Sequence, residues 1–229
     1  MDDSRDSAGG LRAALFDLDG TLIDSVPGLW HAMTALLAEL GLPEISQDEM
    51  TGYTGHGIPT LVKGVLGRTG VPSPEHFDAA LKRFNEIYIA DPLKGSALYP
   101  GVVALLAALR ADGWALGVCT NKPIAPTNVI LRESGLAPRF NVVVGGDTLP
   151  TRKPDPAPVH HALAALCAEP SRAVFVGDTD IDAEAAARAG VPFCLFTQGY
   201  GGDVGGVDVA LRFDAYSTNL NRSFDALVA

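Results

Sequence analysis

The chain has 229 residues, of which 47% are hydrophobic and 19% are charged, so it can build a folded core and is not expected to be intrinsically disordered. Its formal net charge of −10 disfavours nucleic acid and anionic membrane surfaces as partners, because both carry negative charge themselves. The chain shows neither a signal-peptide pattern nor an apolar run of about 20 residues, and we therefore expect a cytoplasmic protein that does not bind a membrane.

Short apolar runs alternate with helical patterns along most of the chain. Strands are predicted at 11–18, 115–120, 142–145, 173–176 and 193–196. Helices are predicted between them at 102–111, 125–133, 157–168 and 183–189. Strands that alternate with helices form parallel sheets through right-handed crossovers. The predicted fold class is therefore α/β, with a doubly wound, Rossmann-like parallel sheet.

The interval between the first two predicted strands breaks this alternation. It shows helical periodicity at 28–40, 60–66 and 75–89 and no convincing strand. Since a structureless loop of this length is unusual in a compact domain, we predict an inserted helical domain at 25–93. Residues 1–24 and 94–229 would then form the α/β core, with a return linker at 94–99.

Polar groups follow the first two core strands at their carboxyl ends, where open α/β sheets bind ligands. The first strand leads into Asp-Leu-Asp-Gly-Thr at 17–21, and alternation points Asp17 and Asp19 in the same direction. Ordinary turn chemistry also explains such a segment. The second strand ends in Cys-Thr-Asn-Lys at 119–122, whose hydroxyl and amide groups suit either a phosphoryl oxygen or a helix cap.

A lysine and an acidic turn follow the later strands. Lys153 begins Lys-Pro-Asp-Pro at 153–156, just before a helix that proline stiffens. Gly-Asp-Thr-Asp-Ile-Asp at 177–182 follows another strand. Three carboxylates this close repel one another unless a cation neutralises them, and oxygen ligands suit Mg²⁺. Capping of the next helix accounts for one of them at most.

In this order the four segments resemble the motifs of the haloacid dehalogenase superfamily, over a span from Phe16 to about Val209. Within it the chain is most similar to the phosphoglycolate phosphatases. That similarity is carried by Phe-Asp-Leu-Asp-Gly-Thr-Leu-Ile-Asp-Ser at 16–25, Gly-Tyr-Thr-Gly-His-Gly at 52–57, and Gly-Gly-Asp-Thr-Leu-Pro at 145–150.

The resemblance implies a phosphatase with a role for each matched position. Asp17 would be the nucleophile that forms an aspartyl-phosphate. Asp19 would act as general acid and then general base, which requires it to carry a proton when substrate binds. Thr120, the amide of Asn121 and Lys153 would hold the phosphoryl oxygens. Gly20 and Thr21 are also expected to contact the substrate.

The resemblance also implies a Mg²⁺ site and a cluster behind it. The metal would be held by the Asp17 carboxylate, the main-chain carbonyl of Asp19 and Asp178. Asp182 would orient a metal-bound water or Lys153. Asp180 falls between the matched positions and is interpreted as helix-capping or surface charge.

The inserted domain would be a cap that closes over the core and selects a small phosphorylated metabolite. A substrate such as 2-phosphoglycolate needs a partner for its carboxylate, and His56 and Lys63 are the predicted candidates, although both also fit solvated positions. The protein is expected to act as a monomer or homodimer.

Several alternatives remain open at this point. The dehalogenase branch lacks an aspartate at the position of Asp19, which favours phosphoryl transfer. β-Phosphoglucomutase resembles the chain in core and cap, but its cap must recapture a sugar bisphosphate, and this cap has no comparable arrangement of basic residues. A pyrophosphatase or a phosphatase of broad specificity is a further possibility. A non-catalytic module would be expected to have lost Asp17, Asp19 or Lys153.

Overall fold

The computed structural model describes residues 10–55, 57–68, 74–201 and 204–229. The strands in this part of the chain are β1 (Ala13–Phe16), β2 (Ile23–Asp24), β3 (Ala97–Leu98), β4 (Ala115–Cys119), β5 (Val142–Val144), β6 (Ala173–Gly177), β7 (Phe193–Phe196) and β8 (Leu211–Phe213). The helices described are α1 (Val26–Glu39), α2 (Gln47–Thr51), α3 (Ile58–Gly67), α4 (Pro74–Ala90), α5 (Val102–Ala111), α6 (Ile124–Glu133), α7 (Ala157–Ala165), α8 (Asp180–Arg188) and α9 (Leu220–Leu227). None of the described helices is both long enough and apolar enough to cross a lipid bilayer.

Six strands form a parallel sheet in the order β5-β4-β1-β6-β7-β8. Counted within the sheet alone, this order is 3-2-1-4-5-6, the arrangement of doubly wound folds. The direction of winding reverses between β1 and β6, and the loops that follow these two strands frame a crevice there. The predicted α/β fold with a helical insertion is confirmed.

The central strands are buried on both faces, as their continuous apolar runs predict. All four residues of β1 are buried. Ala14 and Phe16 point into one apolar cluster, whereas Ala13 and Leu15 point into the other. The sheet is thus packed between two apolar clusters, and the loops at its carboxyl edge are anchored by the buried strands that precede them.

Helices α1–α4 make up the insertion, and we refer to them as the cap. Within the cap, α1 packs against α2 and α4, and α3 packs against α4. β2 leads into the cap and β3 leads out of it. The two strands lie side by side, because they pair as a small antiparallel sheet. The limits of the cap domain, residues 25 and 93, stay a prediction, and we propose them because the cap helices lie between 26 and 90.

Some predicted boundaries differ from the structure. The strand predicted at 11–18 covers only Ala13–Phe16, because Asp17 and Leu18 already belong to the following loop. The helix predicted at 183–189 begins at Asp180, since Thr179 and Asp182 form a capping box that starts it earlier.

Candidate active site

The loops that follow β1, β4 and β5 meet at the carboxyl edge of the sheet and enclose a cavity of about 30 Å³ beneath the cap. Its core side is lined by Asp17, Asp19, Thr120, Asn121, Lys122 and Lys153. Its cap side is lined by Leu29, Thr54, Gly55, Gly57, Ile58 and Leu61. A space of this size holds about two water molecules, so the cap lies closed over these groups.

Lys153 links two of the buried carboxylates. Its Nζ lies 3.0 Å from Oδ1 of Asp17 and 2.5 Å from Oδ1 of Asp182. Burial raises the pKa of Asp17 to about 6, although Lys153 acts in the opposite direction. Burial alone would lower the pKa of Lys153, but Asp17 and Asp182 outweigh it and raise that pKa. Lys153 is therefore a permanent cation beside Asp17.

Asp178 is held by groups on both sides. Its Oδ1 accepts a hydrogen bond from the hydroxyl of Thr21 at 2.7 Å, and its Oδ2 accepts one from the backbone N–H of Tyr200 at 2.7 Å. Burial, followed by the charges of Asp182 and Asp17, raises the pKa of Asp178 well above its usual value. The site orients this carboxylate firmly but supplies too little positive charge for it.

The structure places Gly20 and Thr21 against Asp178, and neither lines the cavity. Their predicted contact with substrate stays a prediction. The turn after Asp19 places them there, because the N–H of Gly20 donates to the carbonyl of Ile23 and the chain folds back. Gly20 has a φ of +81°, and a Cβ there would lie 2.4 Å from Oδ2 of Asp178. Only glycine allows this approach.

Asp182 lies behind the cavity, where both of its oxygens have partners. Oδ1 faces Lys153, and Oδ2 accepts hydrogen bonds from the hydroxyl of Thr179 at 2.7 Å and from the backbone N–H groups of Thr179 and Asp178. Asp182 therefore fixes the position of Lys153. Asp180 is exposed in the first turn of α8 and accepts a hydrogen bond from the N–H of Ile181, which fits its interpretation as surface charge.

The donor set suits a divalent cation. Oxygen atoms of Asp17, Asp178 and Asp182 lie within 4.8 Å of one another, and all three residues are buried. Lys153 is the ammonium paired with this cluster in the described part of the chain. The pKa values of Asp17 and Asp178 are raised because the carboxylates are short of positive charge, and carboxylate oxygens are the ligands that hard divalent cations prefer.

Lys122 is a site residue that the sequence analysis did not single out. Its Nζ donates to Oδ1 and Oδ2 of Asp19 at 2.9 and 2.8 Å. Both oxygens of Asp19 are thus held by one ammonium. In the sequence Lys122 is the last residue of Cys-Thr-Asn-Lys at 119–122, and no local pattern pairs it with Asp19. Its partner is 103 positions away.

Thr120 and Asn121 both line the cavity. Thr120 Oγ1 accepts a hydrogen bond from the N–H of Lys122 at 3.2 Å. The side-chain amide of Asn121 donates to the carbonyl of Lys153 at 3.0 Å. Within the described residues, nothing accepts a hydrogen bond from the backbone N–H of Asn121, which leaves this donor for a ligand in the cavity.

The two predicted cap contacts have different outcomes. His56 lies outside the described residues. Lys63 is exposed on α3 and does not line the cavity. The cavity side of α3 is formed by Ile58 and Leu61, which are three positions apart and share a helix face, whereas Lys63 points elsewhere. The structure therefore does not bring Lys63 to the cavity.

The fold and the site define a class of protein. The model of the haloacid dehalogenase-like hydrolase family matches residues 14–196, so the chain belongs to that family of enzymes, and the resemblance drawn from the motifs is confirmed. The chain is 45% identical over 187 residues to a phosphoglycolate phosphatase of Cereibacter sphaeroides, covering 81% of this chain and 85% of that protein. It is 43% identical over 194 residues to a phosphoglycolate phosphatase of Rhodospirillum rubrum, covering 82% and 80%.

Solved structures agree with this assignment. A predicted phosphoglycolate phosphatase from Haemophilus somnus superposes with a TM-score of 0.85 at 29% identity, covering 93% of this chain and 97% of that one. CbbY from Rhodobacter sphaeroides, solved in complex with phosphate, superposes with a TM-score of 0.77 at 25% identity, covering 91% and 96%.

Proposed function

We propose that the protein is a Mg²⁺-dependent phosphatase that hydrolyses 2-phosphoglycolate to glycolate and phosphate. The observation that carries this proposal is the pairing of Asp17 with Lys153, 3.0 Å apart at the base of the cavity. A carboxylate is a nucleophile for phosphorus, and an ammonium beside it holds a phosphoryl oxygen in place. The names of the relatives support the substrate.

The chemistry proceeds in two displacements at phosphorus. Asp17 attacks and forms an aspartyl-phosphate, while the bond from phosphorus to the glycolate oxygen breaks and Asp19 delivers a proton to that oxygen. Water then attacks the aspartyl-phosphate, Asp19 takes its proton, and phosphate leaves. Lys153, the hydroxyl of Thr120 and the N–H of Asn121 hold the phosphoryl oxygens through both steps.

Asp17, Asp178 and the main-chain carbonyl of Asp19 would hold the Mg²⁺. The ion supplies positive charge that screens the Asp17 carboxylate from the phosphate dianion. Asp182 remains behind these groups and orients Lys153 through their 2.5 Å contact. Thr21 and the N–H of Tyr200 orient Asp178.

The cap contributes size selection. Leu29, Ile58 and Leu61 close the small cavity from above, and they would exclude bulk water when the substrate is bound. The described cap residues at the cavity carry no charge, which favours a small monoester over the sugar bisphosphate that a mutase must recapture. Substrate entry would require the cap to move, because the cavity holds only about two water molecules.

We also propose that the enzyme acts in the cytoplasm as a monomer or homodimer. Cys119, Cys167 and Cys194 are free thiols, the state typical of a reducing compartment.

Phosphate release from purified protein tests the function. The panel contains 2-phosphoglycolate, 3-phosphoglycerate, glycerol 3-phosphate, β-glucose 1-phosphate and pyrophosphate, each with Mg²⁺ and with EDTA. We expect the highest kcat/KM with 2-phosphoglycolate, loss of activity in EDTA and recovery when Mg²⁺ is added back. Folded protein that releases phosphate from no ester contradicts the phosphatase assignment. Equal kcat/KM across the panel contradicts only the assignment of 2-phosphoglycolate.

A further inference from the structure

Lys122 lies between the cap and the core. On the core side its ammonium donates to both oxygens of Asp19. On the cap side the same nitrogen lies 4.7 Å from the centre of the Tyr88 ring, on α4. Lys122 is 3% exposed and Tyr88 is fully buried. The ammonium is therefore enclosed by one residue from each domain.

This burial requires both partners. A lysine ammonium loses its hydration when it is buried, and only an opposite charge or the face of an aromatic ring compensates for that loss. Asp19 supplies the charge and Tyr88 supplies the ring. The Tyr88 hydroxyl makes no hydrogen bond of good geometry within the described residues, but the ammonium of Lys122 lies near it and opposes the rise in the pKa of Tyr88 that burial causes.

The contact depends on how the cap sits on the core. Tyr88 belongs to a helix that packs against α1 and α3 in the cap and also meets α6 of the core. A movement of this helix with the cap would take the ring away from Lys122 and let water reach the ammonium. A hydrated lysine holds its partner less rigidly, because its side chain has many rotamers.

We propose that Lys122 is a positioning residue that holds the Asp19 carboxylate at the edge of the cavity, and that Tyr88 makes this hold depend on cap closure. The proposal rests on the role of Asp19 in the proposed function. Asp19 then stands in line with the leaving oxygen only when the cap is closed and the substrate is enclosed. Misplacement of an acid–base group by about 1 Å is enough to slow a reaction roughly a hundredfold.

The leaving group provides the test. The glycolate oxygen of 2-phosphoglycolate needs a proton as it departs, whereas the nitrophenolate of p-nitrophenyl phosphate is a stable anion and needs little help from Asp19. We expect Lys122→Met to lower kcat for 2-phosphoglycolate at least tenfold with less than a twofold change in KM. For p-nitrophenyl phosphate we expect less than a threefold change in kcat/KM, which does not include the hydrolysis of the aspartyl-phosphate that both substrates share. Lys122→Arg keeps the charge and should recover part of the lost kcat.

A double-mutant cycle shows whether Lys122 acts through Asp19. We expect Asp19→Asn with Lys122→Met to hydrolyse 2-phosphoglycolate within twofold of Asp19→Asn alone. Tyr88→Leu, like Lys122→Met, should lower the ratio of kcat/KM for 2-phosphoglycolate to kcat/KM for p-nitrophenyl phosphate. Phe84→Leu is its matched control, because Phe84 is a fully buried aromatic residue on the same helix that stacks on Tyr88 without a cation–ring contact to Lys122. It should leave that ratio unchanged.

Three results would overturn the proposal. Equal losses of kcat/KM with both esters, and additive losses in the cycle, would mean that Lys122 does not act through Asp19. An increase in KM for 2-phosphoglycolate with kcat unchanged would mean that Lys122 binds the substrate directly. Thermal unfolding confirms that each variant is folded, and Tyr88→Leu carries the test if Lys122→Met is too unstable to assay. Wild-type protein that hydrolyses neither ester contradicts the proposed function and removes the basis of this proposal with it.

Discussion

Oδ1 of Asp17 lies 3.0 Å from Nζ of Lys153 at the base of a cavity that the cap closes. The same ammonium is shared with Asp182, and Asp178 lies beside the pair. One positive charge, that of Lys153, therefore faces three buried carboxylates. This imbalance supports the proposed divalent-cation site, and the contact with Lys153 holds the carboxylate of Asp17 in one position.

Asp17→Asn should lower kcat for 2-phosphoglycolate by at least about 10³-fold, because the amide has nearly the same shape but is not a nucleophile. Phosphate release measures the loss, and thermal unfolding shows that the fold is kept. Asp180→Asn is the matched control, since Asp180 is an exposed carboxylate next to the site in sequence, and we expect it to keep wild-type activity. Substantial turnover by Asp17→Asn would identify a different nucleophile.

The raised pKa of Asp17 predicts a pH dependence of stability in metal-free protein. Between its ordinary pKa of 3.8 and its folded value of about 6, the folded state binds more protons than the unfolded state. Stability is therefore lost as pH rises through this window, by at most about 3 kcal/mol for this group. Asp17→Asn lacks the effect.

In EDTA, wild type should accordingly lose stability between pH 4.5 and pH 7 relative to Asp17→Asn. The melting temperature of Asp17→Asn minus that of wild type should therefore increase over this range. Saturating Mg²⁺ should then raise the melting temperature of wild type more than that of Asp17→Asn. A difference between the two proteins that does not change with pH would show that Asp17 titrates outside this range.

Leu61→Ala should enlarge the cavity and shift the preference towards larger esters, because Leu61 lines the cavity from the cap. We expect the ratio of kcat/KM for glycerol 3-phosphate to that for 2-phosphoglycolate to rise several-fold. The buried position also predicts a loss of about 3 kcal/mol in stability. Lys63→Ala, two positions along the same helix and exposed, should change this ratio less than twofold. A large rise in KM for Lys63→Ala would restore Lys63 as a substrate contact.

Gly20→Ala should weaken Mg²⁺ binding at least tenfold, because a Cβ at this position would lie 2.4 Å from Oδ2 of Asp178. Titration calorimetry with Mg²⁺ measures the affinity. Gly41→Ala is the matched control, because Gly41 also has a positive φ, of +64°, but has no atom within 4 Å of the added Cβ. It should cost about 1 kcal/mol of stability and leave Mg²⁺ affinity unchanged. Equal losses of affinity in both variants would contradict the steric explanation.

The sequence predicted the central elements well because their physical signal is local. Strands buried on both faces produce continuous apolar runs, as at β1 and β6. The short strands β2, β3 and β8 have two or three residues each, too few for any periodicity. The capping box of Ser46 and Glu49, which starts α2, is likewise a local signal, since its two residues are three positions apart.

The sequence by itself determined the sheet, the helical insertion and the cluster around Asp17, because each motif directly follows a strand and parallel strands bring their carboxyl ends together. Only the tertiary structure decided the pairing of Lys122 with Asp19, the placement of Thr21 against Asp178 and the outward position of Lys63. These depend on the turn of a loop, the docking of the cap and the face of a helix. Side chains from distant parts of the chain meet only after the whole fold has formed, and no local pattern records which of them will touch.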